Sequence, residues 1–123
     1  MTNTILWILQ FFIAFAFLYS GVCKSYFPLS KLVAMGQTGV DGLPIWFVRF
    51  IGVSEILGAI GIIIPWWLSI YPVLTPLSSI CFAFIMPFAA VIHYKRREPK
   101  NVLTNVVFFI LCAFVAVARF AEV

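Results

Sequence analysis

The stretch Arg49-Phe-Ile-Gly-Val-Ser-Glu-Ile-Leu-Gly-Ala-Ile-Gly-Ile-Ile-Ile-Pro65 decides the fold. It is a long apolar run of helical character with one carboxylate, Glu55, near its middle and Gly52, Gly58 and Gly61 around that acid. A charge at membrane depth costs roughly 3 kcal/mol or more, so it must face protein or a polar cavity rather than lipid. Glycine lets neighbouring helices approach closely. Gly52, Gly58 and Gly61, with Gly21 on an earlier apolar run, therefore read as helix-packing positions. Other helices are expected to pack here, and any chemistry to sit here.

Composition sets the solvent. Of 123 residues, 64% are hydrophobic and 10% charged, against roughly 25% charged in soluble domains. Mean hydropathy is +1.14, and the chain reads as one integral membrane domain over residues 1–123. The net charge of +4 carries no implication of nucleic-acid binding; what matters is where the charges fall. Cys23, Cys81 and Cys112 stand alone, without C-x-x-C or metal-ligand spacing, and read as small apolar fillers at different depths. The composition excludes a soluble enzyme, and with no Ser-His-Asp, zinc or phosphate-loop constellation present no metal or cofactor is expected from the motifs.

Working outward, four membrane-crossing helices are expected at about 5–23, 44–64, 76–94 and 102–118, each roughly long enough to cross a bilayer core. The fold class is thus all-α, a transmembrane four-helix up-down bundle. The first helix lacks a basic flank and is expected to be retained rather than cleaved. Pro28 and Gly36 bracket a stretch that reads either as a short interfacial helix, about 28–36, or as a loop. Pro44 opens the second helix and Pro65 is expected to end it. Trp66, Trp67 and Tyr71 form an aromatic belt in an uncharged connection. Thr75-Pro76 reads as an N-cap followed by a first-turn proline, and Pro87 as an interior kink. His93-Tyr-Lys-Arg-Arg-Glu-Pro-Lys100 is the only hydrophilic run.

Seven of the eight Lys and Arg residues (Lys24, Lys31, Arg49, Lys95, Arg96, Arg97 and Lys100) lie in or beside the first and third connections. The positive-inside rule then places those connections in the cytoplasm and both termini outside, with Arg119 the one basic residue against it. The expected location is the bacterial cytoplasmic membrane.

With Glu55 and its setting in hand, the chain resembles the DoxX-like family of small four-helix membrane proteins. The resemblance rests on Gly21-Val-Cys-Lys24, on Ile51-Gly-Val-Ser-Glu-Ile-Leu-Gly-Ala-Ile-Gly through Pro65, on Ala89-Ala-Val-Ile-His93, and on the closing Arg119. It spans nearly the whole chain. Relatives are associated with quinone-linked oxidation, as in the small subunit of thiosulfate:quinone oxidoreductase, and with membrane-bound oxidoreductase assemblies. The resemblance therefore implies an accessory or quinone-binding role; no haem or flavin motif accompanies it.

Glu55, Lys24, Arg49 and His93 make up the candidate polar site. Glu55 is either a packing lock, bonded to Tyr19, Ser20, Ser78, Ser79, Asn105 or Lys24, or a group that accepts protons or binds substrate. Lys24 is either an interface anchor or the counter-charge, with rise counting leaving it about 13 Å from Glu55 in depth. Arg49 reads as an anchor or headgroup contact, since six residues from Glu55 it points elsewhere. His93 is a solvated or capping group, or a proton handler. Three functions follow. The first is a non-enzymatic membrane subunit or scaffold for an oxidoreductase or other membrane assembly. The second is a quinone-binding redox subunit with Glu55 as proton relay. The third is a small transporter or channel built as a homo-oligomer.

Overall fold

A computed structural model describes residues 2–123. Four helices are long and apolar enough to cross a membrane: α1 (Thr2–Tyr26), α3 (Ile45–Leu68), α4 (Leu74–Lys95) and α5 (Pro99–Phe120). A short helix, α2 (Leu29–Ala34), and a single 3-10 turn (Thr38–Val40) fill the first connection. The protein is an all-α transmembrane four-helix bundle running up and down. The start of α1 and the end of α5 lie at one end of the bundle, the terminal end; the connections α1–α3 and α4–α5 form the other, the basic end. α1 packs mainly on α3 and α4 on α5, with α3–α4 joining the pairs and α1–α5 in sparser contact.

Glycine sets the closest approach. A Cβ at Gly21 would fall 2.6 Å from the Gly52 carbonyl oxygen, and one at Gly52 would fall 2.8 Å from the Ser25 backbone nitrogen. α1 and α3 thus meet backbone to backbone, which only residues without a side chain allow. At mid-bundle the open face of Gly58 receives the Phe82 ring. That ring stacks on Phe17 with centroids 3.8 Å apart, and Phe108 closes edge-on against Phe17. Leu6, Ile13, Ile62, Cys112 and Val115 extend this core toward the terminal end, all fully buried.

Three expected boundaries are corrected. α3 does not stop at Pro65 but runs three residues further, to Leu68. Proline removes the N–H that would bond the carbonyl four residues back, here that of Gly61, and the Thr75 hydroxyl donates to that oxygen at 2.9 Å. Once the orphaned carbonyl has a partner on the next helix, the turn can continue. Thr75 is consequently not an N-cap: α4 begins at Leu74 with Val73 before it. The helix expected over 28–36 is confined to Leu29–Ala34. Leu32 is fully buried with Cys23, Val40 and Val48 in a small second core, so this segment folds over the basic end as a cap.

Two helix ends close without glycine. Ser69 (φ 56°) and Arg97 (φ 60°) take the left-handed conformation, and Ile70 N–H and Glu98 N–H reach back to the carbonyls of Pro65 and His93. These are the bonds of a Schellman closure, and they end α3 and α4 sharply.

Thr75→Val should leave the Gly61 carbonyl unpaired and cost about 1–3 kcal/mol. In a Pro65→Ala background the restored N–H serves that carbonyl, so the same substitution should cost little. Unfolding of the four variants in detergent measures the difference.

Candidate functional site

Lys24 and Glu55 meet. The lysine Nζ lies 2.6 Å from Glu55 Oε1, with the two side chains 16% and 9% exposed. The gap of about 13 Å expected from rise counting is shortened by register. With Gly21 and Ser25 both facing Gly52, Lys24 lies only about 3–9 Å along the axis from Glu55. Side chains on helices lean toward their own N-termini, and α1 and α3 are antiparallel, so the two lean toward each other and close the remainder. Lys24 is thus placed as the counter-charge of Glu55.

Arg49 binds main chain at the end of α1. Its Nη1 donates to the carbonyls of Lys24 (2.8 Å) and Phe27 (2.6 Å). The last carbonyls of a helix lack intrahelical partners and carry partial negative charge, so the guanidinium caps α1. It thereby holds the backbone of the residue whose side chain neutralises Glu55. Arg49 and Glu55 diverge from α3 yet act on the same end of α1.

Most other partners proposed for Glu55 are engaged elsewhere. Ser20 donates to Gln37 Oε1 (3.3 Å), Ser78 to the Leu74 carbonyl (2.8 Å) and Ser79 to the Cys112 carbonyl (2.6 Å). Asn105 is buried with Nδ2 unpaired among the described residues. Gln37 follows α2, so its bond to Ser20 ties the cap to α1 beside the ion pair.

His93 lies apart from Glu55, in a second cluster at the basic end. Its Nδ1–H donates to Glu98 Oε1 at 2.7 Å, and the Thr38 hydroxyl donates to the same oxygen at 2.8 Å. An ionised carboxylate can only accept, which places the proton on Nδ1. Arg96 spans from Glu98 to Asp41 (3.2 Å). The hydrogen bond from His93, then that from Thr38 and the charge of Arg96, outweigh desolvation and hold Glu98 down at about 2. This cluster pins the cap to the α4–α5 turn. Glu98 was not anticipated: His93 and Arg96 are near it in sequence, but Thr38, which ties it to the cap, lies sixty residues away.

Arg119 is the larger omission. It is 1% exposed. Its Nε donates to Gln10 Oε1 (2.7 Å), and its Nη1 to Asn3 Oδ1 (3.0 Å) and Glu122 Oε2 (2.7 Å). Its guanidinium carbon sits 4.5 Å over the Trp66 ring, so Trp66 turns inward while Trp67 faces out. Gln10 in turn donates to the Ile62 carbonyl at 2.8 Å. The signal available was Gln10 itself, the one strongly polar residue inside the first apolar run, at the same end of the bundle as Arg119.

Removing one member of a buried ion pair strands the other, at about 3–5 kcal/mol. Lys24→Met and Glu55→Leu should each destabilise by that amount, and the double variant should recover most of it, as read by unfolding in detergent. At the basic end, the Glu98 carboxyl is held below its ordinary 4.5. Its stabilisation is therefore complete above that pH and is lost as pH falls toward about 2. Glu98→Gln should flatten the acid limb of a thermal-stability profile across that window and leave the neutral plateau lower.

No curated protein and no solved structure gives a significant match to the chain. Residues 8–115, which include Lys24, Arg49, Glu55 and His93 but not Arg119, match the model of the DoxX-like family, and the chain belongs to that family.

Proposed function

We propose that this integral membrane protein is a non-catalytic subunit or scaffold of a membrane assembly. The observation that carries the reading is the closed Lys24–Glu55 contact at 2.6 Å. An acid engaged in a short ion pair, with Arg49 fixing the backbone behind its partner, is arranged to lock two helices. A quinone-binding redox subunit with Glu55 as proton relay, or an oligomeric transporter, each requires that carboxylate to part from Lys24 during turnover. The spans bury only 22–33% of their most apolar windows within the chain, which leaves broad faces for lipid, a second copy or another membrane protein.

The proposed orientation keeps the basic end in the cytoplasm of a bacterial cell, with both termini outside. Arg119 is the one basic residue on the opposite flank, and the seven Lys and Arg residues in or beside the other connections outnumber it.

The Lys24→Met/Glu55→Leu double variant decides between the readings, because a well-packed apolar pair can replace a buried ion pair without loss of stability. On native gels of solubilised membranes it should retain the assembly size of the unmodified protein. Gly58→Leu, which displaces Phe82 from the centre of the core, should lose it. A folded double variant that keeps its assembly but loses proton flux or quinone reduction in proteoliposomes would overturn the scaffold reading.

A further inference from the structure

We propose that the terminal end of the bundle holds an acidic phospholipid, its phosphate on Arg119 and one acyl chain in the adjoining groove between α1 and α3. The groove, about 470 Å³, is lined by Trp7, Phe11, Ile63, Ile64 and Trp67. Phe11 and Trp67 are more than half exposed, so it opens on the lipid-facing surface rather than into the bundle.

Arg119 supplies the complementary charge. A guanidinium presents five N–H donors. Nε and Nη1 are engaged, but Nη2 is buried and has no partner among the described residues. A charged donor left unpaired away from water is costly, and a phosphate oxygen is the acceptor a guanidinium binds best. Trp7 connects the two features: it lines the groove, and its ring lies 5.7 Å from the Arg119 guanidinium carbon. On this proposal the indole moves aside as the phosphate binds, giving it access to Nη2.

Depth favours a lipid over a soluble anion. Arg119 lies in the last turn of α5 and Trp67 in the last turn of α3, the level at which headgroups and interfacial tryptophans sit. The groove runs inward from there, along Phe11 and Ile63, as an acyl chain does. Glu122, 43% exposed, is the carboxylate a phosphate must displace or share with.

The test uses the full chain carrying Trp46→Phe, which removes the one tryptophan at the basic end. Detergent-solubilised protein is titrated with phosphatidylglycerol brominated on its acyl chains, and separately with phosphatidylcholine brominated in the same way, while tryptophan fluorescence is followed. The acidic lipid should quench at a mole fraction roughly tenfold lower, the increment of one charge-assisted bond. Arg119→Gln should abolish that preference, and Glu122→Gln, by removing the competing carboxylate from an exposed position, should enlarge it. Equal quenching by the two lipids, or a preference that survives Arg119→Gln, overturns the proposal. Should Arg119→Gln fail to fold, a Glu122→Gln preference that is unchanged or weaker overturns it instead. Inorganic phosphate in the aqueous phase should not relieve the quenching; relief would assign Nη2 to a free anion and remove the lipid.

Discussion

The backbone contact between Gly21 and Gly52 is the constraint on which the rest of the bundle depends. It brings α1 and α3 close enough that a Cβ on either would collide with the other's main chain, and it fixes how far one is slid along the other. Register then determines whether the charges meet. Slid apart by one further turn, about 5.4 Å, Lys24 would fall short of Glu55, and an uncompensated carboxylate would be left inside a medium of low dielectric. The ion pair is thus a consequence of glycine placement, and it penalises any register but this one.

A second regularity is that the polar side chains inside the bundle are directed at particular backbone groups. Thr75 serves the carbonyl that Pro65 orphans, Arg49 the last carbonyls of α1, Gln10 the carbonyl of Ile62, and Ser79 that of Cys112. In lipid, no water is available to accept such bonds, so every one made internally counts. Polar atoms bound to the backbone of a neighbouring helix also act as directional contacts in a medium where the hydrophobic effect does not drive helices together.

Fold class was legible because it follows from quantities local to each helix: apolar length, the prolines at the openings, and the clustering of Lys and Arg. Glu55 was legible as a problem requiring a solution, and Lys24 as one candidate for it. What the chain did not disclose was register. Rise counting from helix openings treats each helix as independent, whereas the glycine contact slides α1 on α3 and decides the partner. Pro65 misled for a related reason. A proline ends a helix only when its orphaned carbonyl stays unpaired, and Thr75, ten residues on, lies beyond the reach of local rules. Arg119 read as an ordinary end charge because nothing nearby in sequence marks it as buried against α1 and α3, and Glu98 because its distant partner, Thr38, lies in another connection.

The two ends of the bundle solve the same electrostatic problem differently. At the basic end Glu98 and Asp41 gather His93, Thr38 and Arg96, clamping the α1–α3 cap to the α4–α5 turn through partly exposed groups. Lys24, Arg49 and Arg96 are engaged by other groups of the fold there, while Lys31, Lys95, Arg97 and Lys100 form no ion pair among the described residues. An anionic membrane surface attracts an unpaired Lys or Arg beside it by about 1 kcal/mol. At the terminal end one arginine is withdrawn entirely and its charge is met by a single half-exposed carboxylate. A bundle whose surface cations all sit at one end, and whose lone cation at the other is buried, has a built-in polarity.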